Sequence, residues 1–163
     1  MVAGFFMVEA GLRIRNRPMT HSLYNRLRAP LILYMTITTS IYWLFLHKLV
    51  SFSSPFAVVA NIFQHSGCLA FLLLDLIVDR PQTRLHWRTI TVWLIFPIFY
   101  GVAIMIQGAL LHWYPYPFID IEKLGLQDWL VWNLGILINF GLIGAGVICL
   151  NNAVLRPKHS ADT

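Results

Sequence analysis

Four stretches of the chain contain no Asp, Glu, Lys or Arg: Ala29–Leu46, Ala57–Leu74, Thr89–Leu111 and Trp129–Leu155. Each reaches the length of about 18 residues that a helix needs to cross some 30 Å of hydrocarbon. Only helices and closed barrels satisfy the backbone in lipid, and these runs lack the period-2 alternation of barrel strands. The pattern predicts an all-α, polytopic transmembrane helix bundle with spans at about residues 29–47, 57–78, 89–111 and 129–150. Met1–Val8 is apolar but too short to span, and Glu9 closes it, so it reads as a short N-terminal helix remnant. No long linker or internal repeat divides the chain, and residues 1–163 read as a single integral membrane domain.

Composition agrees, since 58% hydrophobic and 12% charged residues exclude an ordinary soluble domain. The net charge of +5 is spread over short loops, which argues for topology and against nucleic-acid binding. Lys plus Arg number 5 in Gly11–Arg28, 1 in His47–Phe56, 3 in Asp79–Arg88, 1 in His112–Asp128 and 2 after Leu155. That alternation follows the positive-inside rule and predicts a cytoplasmic C-terminus, with His47–Phe56 and His112–Asp128 outside. A bacterial plasma (inner) membrane is the expected location. Trp43, Trp87, Trp113 and Trp129 fall near span ends, where amphipathic rings favour the headgroup level.

The second span departs from a plain lipid-facing helix. Asn61, His65, Cys68, Asp75 and Asp79 are spaced by 4, 3, 7 and 4 residues, which with Leu72 in the gap makes one polar seam on an ideal α-helix. Ionisable groups in hydrocarbon face partners or water. His65 lies eight residues beyond Ala57, roughly 12 Å into the span. Asp75 is ten residues further on, too far along the helix to orient His65. The seam therefore divides into an upper Asn61/His65 candidate site and a lower Asp75/Asp79/Arg80 anchor, whose carboxylates are expected to bond Arg80, Arg84 or a neighbouring helix. In the upper part His65 is the candidate base and Asn61, one turn above, its candidate orienter.

Elsewhere the bland reading prevails. Thr36, Thr38, Thr39 and Ser40 are expected to bond their own backbone or a neighbouring helix. Pro97 predicts a kink in the third span. In the fourth, Gly141 and Ala145 make a small-xxx-small pair, and Asn133 and Asn139 are expected to bond between helices. Cys68 and Cys149 read as small packing residues. With no His/Glu pair at i,i+4, neither a metal nor a cofactor is expected.

Two stretches carry a family resemblance. One is Asn61-x-x-x-His65 followed by Asp75 and Arg80-Pro81; the other is Trp93-x-x-x-Pro97-x-x-Tyr100, then Gly108 and the loop Tyr114-Pro115-Tyr116-Pro117-Phe118-x-Asp120. Together they resemble the androgen-induced/FAR-seventeen-a family of multi-pass membrane proteins, especially its bacterial six-helix branch, over roughly Ala29 to Arg156. The resemblance implies an intramembrane hydrolase of lipid esters that uses a threonine and a histidine. The histidine maps onto His65. The threonine's pattern, an aromatic residue followed by Thr-x-x-Ser-Asn before a segment like Val2–Phe6, does not occur, and Ala70 stands where a proline is frequent.

The expectation is a multi-pass protein of the threonine/histidine lipid-ester hydrolase type, N-terminally shortened relative to that family and inactive as this chain stands. Membrane lipids, and with them a lipid-ester substrate, are its expected partners. The alternative is a non-enzymatic membrane protein whose polar seam serves helix packing or partner binding.

Overall fold

The computed structural model describes residues 1–155; Arg156 and Lys158 of the C-terminal tail, and the side on which that tail lies, fall outside the described residues. All regular structure among the described residues is helical, and four helices are long and apolar enough to cross a membrane: His21–Leu46, Pro55–Val78, Thr89–Leu111 and Ile121–Ala153. The protein is a multi-pass integral membrane protein with a helical bundle architecture. Met1–His86 together with the residues from Gly146 onward make one compact unit, and Trp87–Ala145 make a second.

The first unit opens with α1, Val2–Ile14. This helix does not stop at Glu9. Its carboxylate takes Arg13 Nε at 2.6 Å, one turn on, and accepts the Met19 backbone N–H at 3.3 Å. An i,i+4 acid–base pair supports helix on both sides of the acid, so the polar residue carries the helix onward instead of closing it.

The first span also starts earlier than its apolar run. Its helix α2, His21–Ile41, is capped by the Thr20 hydroxyl accepting from Leu23 N–H. Arg26 and Arg28 thus lie on the helix and not in a loop. The ladder then widens into a π turn, Tyr42–Leu46, closed by His47 N–H on the Tyr42 carbonyl at 2.8 Å. The second span begins at Pro55, with Ser54 as its cap. It comprises α3, Pro55–Ile62, a second π turn, Phe63–Gly67, and α4, Cys68–Val78. α2 packs along α4, and Leu33, Ile32, Leu72 and Leu76 are buried between them.

In the second unit the third span breaks at Leu94, between α5 (Thr89–Trp93) and α6 (Ile95–Leu111). The interruption stands three residues before Pro97, where a kink is expected, and Leu94 itself keeps helical dihedrals, φ −72° and ψ −16°. Proline withholds its N–H from the carbonyl four residues back and its ring crowds that same carbonyl, so the strain falls on the preceding turn. His112 ends α6 in the left-handed region, with φ 49°.

The Tyr114–Asp120 loop then folds back. Tyr114 lies so close over Gly108 that a Cβ there would sit 2.0 Å from a ring carbon. Pro117 opens a short 3-10 turn, Pro117–Ile119, that buries Phe118, and the Tyr116 and Phe118 rings stack at 5.3 Å. Asp120 caps α7, Ile121–Ala153, which Gly125 interrupts after one turn at φ 74°.

Three packing expectations are corrected here. The close approach in α7 is made by Gly144 against Ile90, while nothing lies within 4 Å of Gly141. Asn133 donates to the Trp129 carbonyl of its own helix at 2.8 Å, where a side chain finds an acceptor without crossing to a neighbour. Cys149 is exposed and Cys68 half-buried, so neither is a tightly packed core residue.

The Gly108–Tyr114 contact generates a test. Gly108→Ala forces the loop off the helix and is expected to lower stability by about 1–3 kcal/mol. In the Tyr114→Ala background the same change is expected to be nearly neutral. Thermal unfolding of the detergent-solubilised protein measures both.

Candidate functional site

The polar residues of the second span fall into two clusters at different depths. The lower one is built on α2. Tyr24 and Arg28, one helical turn apart, face the last turn of α4. Arg28 is 1% exposed and its Nη1 makes three bonds: to the Asp75 carboxylate at 2.8 Å, the Asp75 carbonyl at 3.2 Å and the Asp79 carbonyl at 2.9 Å. The Tyr24 hydroxyl reaches both Asp75 carboxylate oxygens, at 3.1 and 3.0 Å, and the guanidinium lies 5.2 Å from the Tyr24 ring centre. Arg28 therefore neutralises the Asp75 carboxylate and caps the carbonyl end of α4, where the helix dipole favours a cation.

A second layer of amides ties the following loop to this pair. Asn25 accepts from Arg28 Nη2 at 3.4 Å and donates to the Thr83 carbonyl at 3.3 Å. Asn151 donates to the same carbonyl at 3.3 Å. The Asn152 amide accepts from Leu85 N–H and donates to Leu85 C=O, both at 3.0 Å, as a strand neighbour would. Asn25 and Asn151 are each 1% exposed. Of the partners expected for Asp75, it is the neighbouring helix that supplies them. The Arg80 and Arg84 side chains stay exposed.

The upper cluster is where the two π turns meet. The His65 ring lies flat on the Tyr42 ring, 4.0 Å between centres and 6° between planes. Trp43 Nε1 donates to the Ser66 hydroxyl at 2.9 Å, and the Thr39 hydroxyl donates to the His65 carbonyl. That carbonyl is one the widened turn makes available, because a π turn shifts the ladder by one residue. Local sequence allows the widening: the Phe63 ring lies across Gly67, where a Cβ would stand 2.7 Å from it.

His65 Nδ1 is buried and makes no hydrogen bond, and so is His47 Nδ1, whose ring tilts against Trp43 at 5.6 Å. Asn61, before the π turn, makes no hydrogen bond to the His65 ring among the described residues. The extra residue in the turn rotates everything above it by about a quarter-turn relative to α4. The remaining hydroxyls follow the bland reading: Thr36, Thr38 and Ser40 donate to carbonyls four residues back, at 2.7, 2.8 and 2.8 Å.

No known protein family, curated protein or solved structure matches the chain. What the clusters do must therefore be read from their own chemistry. Among the described residues no three His, Cys, Asp or Glu side chains converge on a metal position. No hydroxyl bonds the His65 imidazole, so the upper cluster holds a base and an aromatic wall without a paired nucleophile. The motif residues of the second unit make a separate structure: Tyr100 and Tyr116 hydroxyls lie 3.4 Å apart and Phe118 packs on Trp132 at 6.2 Å. Asp120 there accepts from Lys123 N–H at 3.2 Å and pairs with its ammonium at 2.9 Å, while His112 pairs with Glu122 at 2.9 Å.

Sequence reasoning missed Arg28, Tyr24, Asn25, Tyr42 and the two terminal asparagines. For Arg28 a signal was present. Tyr24 and Arg28 are four apart and continue the α2 face toward the span that holds Asp75. For Tyr42 and His65 there was none, since hydropathy does not reveal a π turn.

Two tests follow from these geometries. Arg28→Met leaves the Asp75 charge buried without its cation and is expected to destabilise by about 3–5 kcal/mol. Arg28→Met with Asp75→Leu is expected to regain most of the loss, as read from the melting temperature in detergent. For Asp120, the hydrogen bond from Lys123 holds the carboxyl below its ordinary value. The cap is then fully present above the ordinary carboxylate range and is lost as the pH falls through the depressed value. Amide-exchange protection at Lys123 is expected to hold at pH 5 and fall below about pH 4.

Proposed function

We propose that this multi-pass membrane protein presents His65 to a lipid ester, as the histidine side of a threonine/histidine lipid-ester hydrolase centre. We propose further that the 163-residue chain by itself receives the ester without cleaving it. The observation that carries the reading is the His65 ring held flat against Tyr42, inside a π turn, with a buried Nδ1 that nothing bonds. An imidazole has one donor and one acceptor nitrogen, and π turns recur at functional sites because they turn side chains out of the α-helical register. Neutral imidazole suits the removal of a threonine proton. A base already at membrane depth suits a substrate whose chains are dissolved in lipid. The resemblance of Asn61-x-x-x-His65 and the Tyr114–Asp120 loop to the hydrolase family supports the same reading.

A second reading, helix packing without catalysis, is favoured by the lower cluster, where Arg28 bonds Asp75 and Asn25 bonds Thr83, joining α2 to α4 and to the loop that follows it.

A photoactivatable long-chain ester distinguishes the two. Crosslinking near Tyr42 is expected in the wild type and a drop of roughly fivefold or more in both His65→Ala and Tyr42→Ala, the loss of about one good hydrogen bond or ring contact in a water-poor site. Fluorophosphonate labelling is expected to be equal in wild type and His65→Ala. Crosslinking unchanged by either substitution sinks the lipid-ester reading in favour of packing. Labelling that depends on His65 means that the chain carries its own nucleophile and sinks the non-cleaving half.

A further inference from the structure

The lower end of the first unit separates its charges by sign. Glu9 is 5% exposed and committed to Arg13 and Met19 N–H. Asp75 is committed to Arg28 and Tyr24. Asp79 is half-buried and offers its carbonyl to Arg28. By contrast Arg15, Arg17, Arg26, Arg80 and Arg84 are all exposed, and none makes an ion pair or side-chain hydrogen bond among the described residues. Glu9 and Asp75 are thus paired inside, the half-buried Asp79 carboxylate makes no ion pair among the described residues, and these five guanidiniums are left outside.

These arginines are also mounted on tethered backbone. Arg26 follows Asn25, which is bonded to Thr83. Arg80 follows Asp79, whose carbonyl Arg28 holds. Arg84 stands between Thr83 and Leu85, which Asn25, Asn151 and Asn152 clamp. Arg17 lies two residues before Met19, tied to Glu9. Those bonds bring the start of α2 and the Asp79–Leu85 loop to one end of the bundle. The exposed apolar residues Leu23 and Leu27 flank Arg26 on α2.

We propose that this end of the first unit is a docking face for anionic phospholipid headgroups, with Arg15, Arg17, Arg26, Arg80 and Arg84 as phosphate-binding groups and the buried Arg28–Asp75–Asn25–Thr83 network as their mount. Charge complementarity selects the partner. Planar guanidiniums bind phosphate oxygens in pairs, and side chains beside Leu23 and Leu27 at the end of a membrane span stand at headgroup depth. The face is independent of the His65 site, so the two proposals stand or fall separately.

The test uses the full chain in nanodiscs, with spin-labelled phosphatidylglycerol and phosphatidylcholine reporting boundary lipid. At low salt the wild type is expected to prefer phosphatidylglycerol by roughly fivefold and to lose most of that preference by about 0.5 M salt. Changing the five arginines to Gln should bring the ratio near one, while Lys48→Gln with Lys123→Gln leaves it unchanged. If the fivefold variant does not fold, Arg15→Gln/Arg17→Gln and Arg80→Gln/Arg84→Gln are each expected to lower the ratio about twofold. Equal association of the two lipids with the wild type, or a preference that survives these substitutions, overturns the proposal. So does tight binding of a short oligonucleotide or acidic peptide to the protein in pure phosphatidylcholine without any lipid preference.

Discussion

Taking a guanidinium out of water costs several kcal/mol unless its charge and its N–H groups are met. Arg28 is 1% exposed, and the first unit meets its charge and bonds both terminal nitrogens, while Nε is buried without a hydrogen-bond partner among the described residues. The charge is met by Asp75, and two further bonds of Nη1 go to carbonyls at the end of α4: that of Asp79, which lies past the last turn, and that of Asp75, which also accepts the Asp79 N–H. A helix end and a buried cation thus solve each other's problem. Tyr24 fills the remaining acceptor capacity of Asp75, and Asn25 extends the network to Thr83. The consequence reaches α7, because Asn151 and Asn152 close on the same loop from the far end of the chain. Sequence separations of 58, 67 and 68 residues are bridged by these bonds, which is why one cation can set the arrangement of three elements.

The upper cluster obeys a different constraint. No ion pair anchors it; two π turns do. A π turn is less favourable than the α-helix it replaces and persists where side chains gain from it. Here the gain is reciprocal: Tyr42 stacks on His65, Trp43 donates to Ser66, and Thr39 reaches the carbonyl of His65. The two widened turns lie opposite each other, so each helix supplies the contact that offsets the other's distortion. The result leaves His65 Nδ1 buried and without a hydrogen-bond partner among the described residues, as His47 Nδ1 also is.

The spans were legible in the sequence because composition reports directly on transfer into hydrocarbon: all four uncharged runs are membrane-length helices. Their ends were not. Glu9, Arg26 and Arg28 look like interruptions to a hydropathy reading, yet all three are helical: Glu9 has Arg13 one turn on, Arg28 has Asp75 on the next helix, and Arg26 is exposed on the surface of α2. The expected polar seam shows the same gap between pattern and geometry. Its lower residues keep their register from Cys68 onward, and Asp75 meets a neighbouring helix as an α-helical count allows. Above the π turn that count is off by one relative to α4. Pro97 was legible as a fault in the third span, but the break stands one turn earlier, where the clashing carbonyl is.

The two ends of the second span differ in how much freedom they retain, and this bears on what each is for. Every atom of the Asp75 carboxylate has a named partner, and moving it requires breaking several bonds at once. Such a cluster fixes geometry and is poorly suited to exchanging ligands or protons. His65 is held by its ring face and its backbone, while its Nδ1 has no hydrogen-bond partner among the described residues. A side chain fixed in orientation but open in bonding is what a binding or proton-accepting group requires. The same helix therefore carries a rigid foot and a poised head, and the foot's rigidity extends outward to the exposed arginines on the loop it clamps.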